Sequence, residues 1–282
     1  MEFSFKGCTS LKEIIIPNSV KKTRIDTFFN CASLEYVTLS KGLKEITWNM
    51  FRNCSSLKSV VLPNSIKEIG CHAFHGCTSL ESINIPNTVT KMDGDALCGC
   101  NGLKEIFIPA SLTDLNEDYS MAICRCANLK SVKVADDNPK YDSREECNAI
   151  ILTAKNILLL GCSTTVIPTS VKRIGDIAFA GCAGITTLTL PKNVTTIGEY
   201  SFAEMPDLVE VVIPKSIKKI PECAFYRCEK LTTVTLHSAI KSIDSEAFDE
   251  CPSLAQIRIP KGETDKFKEI LAEEYHKFIV EE

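Results

Sequence analysis

Histidine is scarce in this chain: His72, His75, His237 and His276 are the only four in 282 residues. None stands at a spacing from serine, cysteine or aspartate that would suggest a nucleophile and its base. No glycine-rich phosphate loop occurs either. The reading is therefore of a protein that is not an enzyme and holds no cofactor. Charge of one sign is also lacking. A formal net charge of −4 favours neither nucleic acid nor a membrane surface as a partner. No apolar run approaches the ~20 residues that span a bilayer, and no basic-then-apolar stretch opens the chain as a signal peptide would.

Cysteine, by contrast, is abundant and ordered. Fifteen are present, and Cys8, Cys31, Cys54, Cys77 and Cys100 lie 23 residues apart. Cys182, Met205, Cys228 and Cys251 resume that step. A fixed period of this length means stacked similar coils. Taking the marked cysteine as position zero, positions +3, +6 and +8 are Leu, Ile or Val in every coil, as in Leu57, Val60 and Leu62. Positions +6 and +8 alternate with the outward +5 and +7, the period of a strand with one buried face. Proline then stands at +9 in most coils, as at Pro17, Pro63, Pro86, Pro109, Pro191, Pro214 and Pro260, where it ends the ladder and turns the chain. A second apolar pair at +12 and +15, such as Ile66 and Ile69, predicts a short strand on the opposite wall. Ala-Phe before the next cysteine, as at Ala73-Phe74 and Ala224-Phe225, predicts a column of rings between the walls. The marked cysteines read as small buried filler, not as disulfide partners.

This pattern, clearest in CSSLKSVVLPNSIKEIGCHAFHGC from Cys54 to Cys77, resembles the BspA-like leucine-rich repeats. The resemblance covers about residues 3–260. It implies a right-handed, curved leucine-rich-repeat solenoid of about eleven coils with a parallel sheet on its concave side. It also implies relatives that are surface proteins of host-associated bacteria and parasitic protozoa, engaged in adhesion and protein binding.

The period breaks twice. Between Cys100 and Cys126 the step is 26, which places a three-residue loop within Leu115–Ser120. Between Cys126 and Cys182 it is 56. One coil with its zero position at Leu159 accounts for part of this, leaving an insertion within residues 136–161. The apolar runs Ala149–Leu152 and Ile157–Leu160 predict a β-hairpin there. Asn138-Pro139-Lys140-Tyr141 matches the hairpins found within such arrays, although Glu146-Cys147-Asn148 stands where Asp-Gly is usual. Cys147 and Cys162 are read as lying outside the cysteine column. The solenoid is thus assigned to residues 1–260. In residues 261–282, Phe267, Ile270, Leu271, Tyr275 and Phe278 recur at helical spacing and predict a capping helix. The N-terminus enters in mid-repeat, which reads as a fragment of a longer parent that carried the export signal.

Two clusters invite metal or redox chemistry. Cys71, His72, His75 and Cys77 have metal-like spacing, but Cys77 belongs to the inward column, so four ligands along this coil cannot converge. Cys98 and Cys124 hold equivalent positions in neighbouring coils and should stack side by side. A disulfide or a four-cysteine metal site is open to them, and two unlinked thiols are the expectation. No metal is assigned.

The outward faces are the better candidates. The partner-binding residues expected on the concave face are Ile15, Tyr36, Thr38, Val61, Asn84, Glu105, Phe107, Lys133, Thr187, Thr189, Val212 and Thr235. Tyr36, Val61 and Phe107 would make an apolar stripe in the N-terminal half, of the kind enriched at binding hot spots. On the opposite wall, Lys21, Lys44, Lys67, Lys172, Lys218 and Lys241 form a basic stripe that suits a glycan or other polyanion, or that keeps short strands from pairing. The leading expectation is a monomeric protein-binding and adhesion module of a cell-surface or secreted parent, its ligand a host or microbial surface protein. A glycan ligand or a structural spacer is the alternative.

Overall fold

The computed structural model describes residues 4–117 and 120–282. The chain divides into two compact units, Met1–Thr153 and Ala154–Glu282. Each is a stack of coils with two parallel-strand walls.

In the N-terminal unit the first wall contains Glu13–Ile15, Tyr36–Thr38, Ser59–Val61 and Ser82–Asn84 in one parallel ladder, and Glu105–Ile108 paired with Ser131–Val134. Register is strict: Ile14 faces Val37, Val37 faces Val60, and Val60 faces Ile83. The middle side chain of each strand turns inward and its neighbours turn out, as the alternation predicts. The proline turn then closes on itself, with Val20 N donating to Pro17 O and Ile66 N to Pro63 O. The second wall consists of two-residue strands, Glu45–Ile46, Glu68–Ile69 and Lys91–Met92.

A corner leads from the second wall to the next marked cysteine. Its first and last residues, five and one before that cysteine, take left-handed backbone: Asp26 and Asn30, Asn49 and Asn53, His72 and Gly76, Asp95 and Gly99. Asn, Asp and Gly enter this region at least cost. Each corner is sewn to the next by backbone bonds such as Phe28 N to Met50 O and Phe51 N to Ala73 O. Inside it the rings of Phe5, Phe28, Phe51 and Phe74 stack with centroids 5.4 Å apart. Buried Leu97 and Ile123 continue the column.

The inward cysteines do more than fill space. Cys31 Sγ donates to Phe5 O, Cys54 to Phe28 O, Cys77 to Phe51 O and Cys100 to Phe74 O, over 2.9–3.2 Å. Each thiol thus adds a second donor to a corner carbonyl of the preceding coil that already accepts a backbone amide, Phe28 O from Cys31 N and Phe51 O from Cys54 N among them, so the S–H is itself satisfied where a purely apolar filler would bring no bond. Burial pushes Cys54 and Cys126 up to about 12, and Cys77 and Cys100 well above the usual thiol range, so these groups stay protonated donors.

The insertion begins at Asn138, whose Nδ2 donates to Pro109 O and Leu112 O while its Oδ1 accepts from Lys140 N and Tyr141 N. Tyr141 is fully buried, and its hydroxyl donates to Glu117 and accepts from Leu115 N. Antiparallel pairing joins Tyr141–Asp142 to Ile151–Leu152. The connecting turn passes through left-handed Glu145, Glu146 and Asn148, the geometry that Asp-Gly would otherwise supply. Both apolar runs of the expected hairpin are strands, Ile150–Leu152 and Ile157–Leu160. The expected loop at Leu115–Ser120 includes Asp118 and Tyr119, which lie outside the described residues.

In the C-terminal unit the first wall begins at Thr187–Thr189 and continues through Glu210–Val212, Thr233–Thr235 and Gln256–Ile259. The reading of Leu159 as a zero position, with Cys162 outside the column, is corrected here. Cys162 is the zero position: Thr165 N bonds to Cys162 O as Leu34 N does to Cys31 O. Gly161 takes the place of the phenylalanine, its N donating to Ala178 O, and a Cβ there would meet the Phe179 ring at 2.2 Å. The coil from Cys162 to Cys182 is therefore only 20 residues. Residues 163–167 form no strand, so the first-wall sheet is not one continuous ladder of eleven. The rings of Phe179, Phe202, Phe225 and Phe248 stack at 5.5–5.7 Å.

The C-terminal helix is shorter than its apolar spacing predicts, running only Thr264–Ile270. Backbone at Leu271 and Ala272 becomes extended, and a 3-10 turn, Glu273–Phe278, follows. This change sets Tyr275 edge-on against Phe248, at 5.9 Å and 84°, closing the ring column. Ile279–Glu281 then pairs in parallel with Ile257–Ile259, covering the edge of the first wall.

Candidate functional site

Alternation along the first-wall strands decides which side chains face solvent. In the N-terminal unit Ile15, Tyr36, Val61 and Phe107 are 74, 51, 78 and 51% exposed. Thr38, Asn84, Glu105 and Lys133 are exposed beside them. In-register pairing sets Ile15 beside Thr38 and Val61 beside Asn84, so the apolar groups are spread along one face and separated by short polar ones. Lys58 lies over the Tyr36 ring at 5.4 Å while paired to Glu35 at 2.6 Å, leaving the ring held but open.

Phe107 and Lys133 also floor a groove of about 770 Å³. Asp136, Asp137, Ser143, Glu146 and Asn148 of the insertion line it. Bidentate pairing of Arg144 with Asp142, and Ser143 Oγ donating to Ala149 O at 2.7 Å, fix the lining turn. The sequence locates both floor and insertion. It does not show that one walls the other, because that depends on where Asn138 and Tyr141 anchor the returning chain.

The C-terminal unit presents a different outer face. Thr187 and Thr189 are exposed and Val212 and Thr235 half-buried. Among the described residues of this wall's strands, the large apolar side chain that is exposed outward is Val280, on the last strand beside Arg258. On the second walls Lys21, Lys44, Lys67, Lys172, Lys218 and Lys241 are all exposed. The basic stripe is diluted, since Glu45 faces Glu68 and Glu68 faces Lys91 within the same ladder. An exposed apolar pair that periodicity does not single out, Ile25 and Trp48, occupies equivalent positions in successive corners. The Trp48 ring lies over Gly70, where any Cβ would meet it at 2.5 Å.

All fifteen cysteines are thiols. Cys98 and Cys124 do lie side by side, as their equivalent positions imply. A hydrogen bond from Cys124 holds the Cys98 thiol down, against burial and with help from His75. The same contact with Cys98, then burial, drives Cys124 up. Cys71 Sγ instead contacts His72 Nδ1 at 2.9 Å, and Cys77 points inward.

Among the described residues, no helix is long and apolar enough to cross a membrane. The chain matches the family model of the BspA type leucine rich repeat region, in six copies, over residues 1–130 and 160–271. A leucine rich cell surface protein of Faecalibacterium prausnitzii is similar in structure, with a TM-score of 0.70 at 26% identity over 89% of this chain and 73% of that one. The pneumococcal vaccine antigen PcpA gives 0.72 at 23% identity, over 88% of this chain and 62% of its own. A leucine-rich repeat protein of Eubacterium ventriosum gives 0.61 at 20%, over 87% and 78%. The last two likenesses concern the fold alone. No curated protein matches the chain.

Proposed function

Because the chain belongs to the BspA-type leucine-rich repeat family, we propose that it is a non-enzymatic module that docks a protein partner on the outer first-wall face of its N-terminal unit. The observation that carries this reading is the exposure of Ile15, Tyr36 and Val61 on one ordered ladder and of Phe107 on the neighbouring strand pair. Rigid strands hold these groups in place before a partner arrives, which lowers the ordering cost of binding. The groove beside Phe107 adds a recess with acidic groups and Lys133, suited to a projecting loop of the partner. A cell-surface or secreted setting agrees with the F. prausnitzii relative, whose description places it at the cell surface. There the partner would be another surface or extracellular protein.

The test is binding of the immobilised chain to purified extracellular proteins, with heparin as the polyanion probe. The expected result is a protein ligand whose affinity falls at least ~10-fold in a Tyr36→Ala/Phe107→Ala variant, as for paired aromatic hot spots, and holds in high salt. Unchanged binding by that variant sinks the proposal. The second reading, a polyanion held by the exposed second-wall lysines of one unit, such as Lys21, Lys44 and Lys67, requires the opposite. Heparin would bind, salt would release it, and Lys44→Ala/Lys67→Ala would weaken it.

A further inference from the structure

We propose that Cys98 and Cys124, together with Asp95 and His75, bind a zinc ion across three successive coils of the N-terminal unit.

The set arises from the coil-to-coil register. His75, Cys98 and Cys124 each stand two residues before a marked cysteine, in consecutive coils. Corner hydrogen bonds lock that alignment, Gly76 N to Cys98 O at 2.9 Å and Gly99 N to Cys124 O at 3.1 Å. Other coils carry Phe29, Arg52, Ala180, Ala203, Tyr226 and Asp249 at this position, so imidazole and thiols coincide in one place. Asp95 joins them from the left-handed start of the middle corner.

Distances suit a small ion. The ligand atoms of Asp95, Cys98 and Cys124 all lie within 4.8 Å of one another, and Cys124 Sγ is 3.2 Å from Asp95 Oδ1. Tetrahedral zinc, with bonds of about 2.0–2.3 Å, spaces its ligands roughly 3.3–3.8 Å apart, so these three need close by no more than about 1.5 Å. The fourth ligand has to move in: no ring nitrogen of His75 lies within 4.8 Å of all three ligand atoms, but the residue borders Cys98 and its Nδ1 is buried with no hydrogen-bond partner, so a turn of the ring would complete the set. A polar atom orphaned in this way calls for a partner, and a metal supplies one. Behind the ligands, His72 Nε2 stands 3.5 Å from Asp95 Oδ2, and Cys71 Sγ contacts His72 Nδ1. A carboxylate backed by an imidazole is the kind of outer support that orients ligands.

Two soft sulfurs with one nitrogen and one oxygen select zinc over magnesium or calcium. Binding forms two S–Zn bonds and releases to solvent the S–H protons the pair still holds, at most two. The ion would tie the corners on either side of the Leu115–Ser120 segment to each other, where the repeat step changes. Reading metal-ligand spacing along a single coil misses the set, because its members are contributed by different coils.

The test uses the full chain, stripped by chelator under reducing conditions and titrated with Zn2+ and with Co2+. One ion per chain is expected, with the absorption of tetrahedral Co2+ bound by thiolate. Cys98→Ser/Cys124→Ser should abolish it, and His75→Ala should weaken it about 10–100-fold or more. Cys223→Ser, which disrupts the other cluster of Glu222, Cys223 and Glu246, should leave it intact. X-ray absorption on the wild-type chain, which needs no variant to fold, should count two sulfur ligands at about 2.3 Å. Absence of a stoichiometric ion, its retention in the double variant, or a sulfur count other than two overturns the proposal.

Discussion

The two units build the same corner from different residues. In the N-terminal unit the left-handed positions are mostly Asn, Asp or Gly, with His72 and Arg125 as departures. In the C-terminal unit they are Ile177, Tyr200, Glu204, Cys223, Arg227 and Glu250, with Gly181 alone of the favoured type. A β-branched residue such as Ile177 at φ 53° is a true outlier by local preference. Yet the backbone bonds across the corner match, Phe28 N to Met50 O in one unit and Phe202 N to Ala224 O in the other. The ring columns match as well, with spacings of 5.4 and 5.5 Å. Corner geometry is therefore imposed by the stacked rings and inter-coil bonds, and local propensity only adjusts its cost.

The strongest challenge to this comparison is alkaline pH, because it acts on many buried thiols at once. The inward thiols Cys31, Cys54, Cys77, Cys100, Cys126, Cys182 and Cys228 have raised folded-state pKa values, whereas Cys251 is held down by Cys228, so the stabilisation of the seven is complete below the ordinary thiol range of about 8.5. It is lost as pH climbs toward about 12, where Cys54, Cys126 and Cys182 titrate in the folded chain. Thiol-to-carbonyl bonds fall on Cys31, Cys54, Cys77, Cys100 and Cys126 in the N-terminal unit, against Cys228 and Cys251 in the C-terminal one, where Met205 has no S–H to offer. Amide exchange at pH 7 and 10, corrected for intrinsic rates, should show the N-terminal unit losing protection first. Equal loss would mean that the thiol bonds carry little weight.

Next come the rings. Phe51→Ala and Phe225→Ala should each cost about 3–5 kcal/mol, as buried aromatic truncations do, read by urea unfolding with exchange resolved by unit. If one unit tolerates the change, the columns are not equivalent supports. The smallest effects probe propensity itself. Ile177→Asn should stabilise the C-terminal unit and Asn53→Ile destabilise the N-terminal one, each by about 1–2 kcal/mol, the steric cost of left-handed backbone. A neutral result at both sites would remove local preference from the account.

Much of the fold is legible because a period reports whatever every coil repeats. The columns at +3, +6 and +8 require two walls, and alternation alone places Ile15, Tyr36, Val61 and Phe107 outside. What escapes are the features that occur once and the direction of bonds that side chains make. Spacing sets Cys162 outside the column because Pro168 fits the ninth position of a full coil, whereas that coil omits a strand. The thiol-to-carbonyl bond stays hidden because the burial of a cysteine reveals nothing of where its S–H points. The helix ends early because Tyr275 is drawn to the end of the ring column, a tertiary demand that helical spacing cannot register. The grouping of His75, Cys98 and Cys124 emerges only when positions are compared between coils instead of along them.

The thiol of one coil reaches a carbonyl 26 residues earlier, and its corner amides reach 22 residues ahead. Along the run of 23-residue coils in the N-terminal unit, neither contact depends on which coil is involved. Excision of the segment from Cys54 to Gly76 would bring Cys77 against the Phe28 carbonyl and Cys100 against that of Phe51, restoring every type of bond. Such a gene can gain or lose whole coils by unequal crossing-over without a folding penalty at the joint. Each event redraws the outer ladder, setting Tyr36 directly beside Ser82 in this example. Variation in length and variation in ligand would then be inherited together.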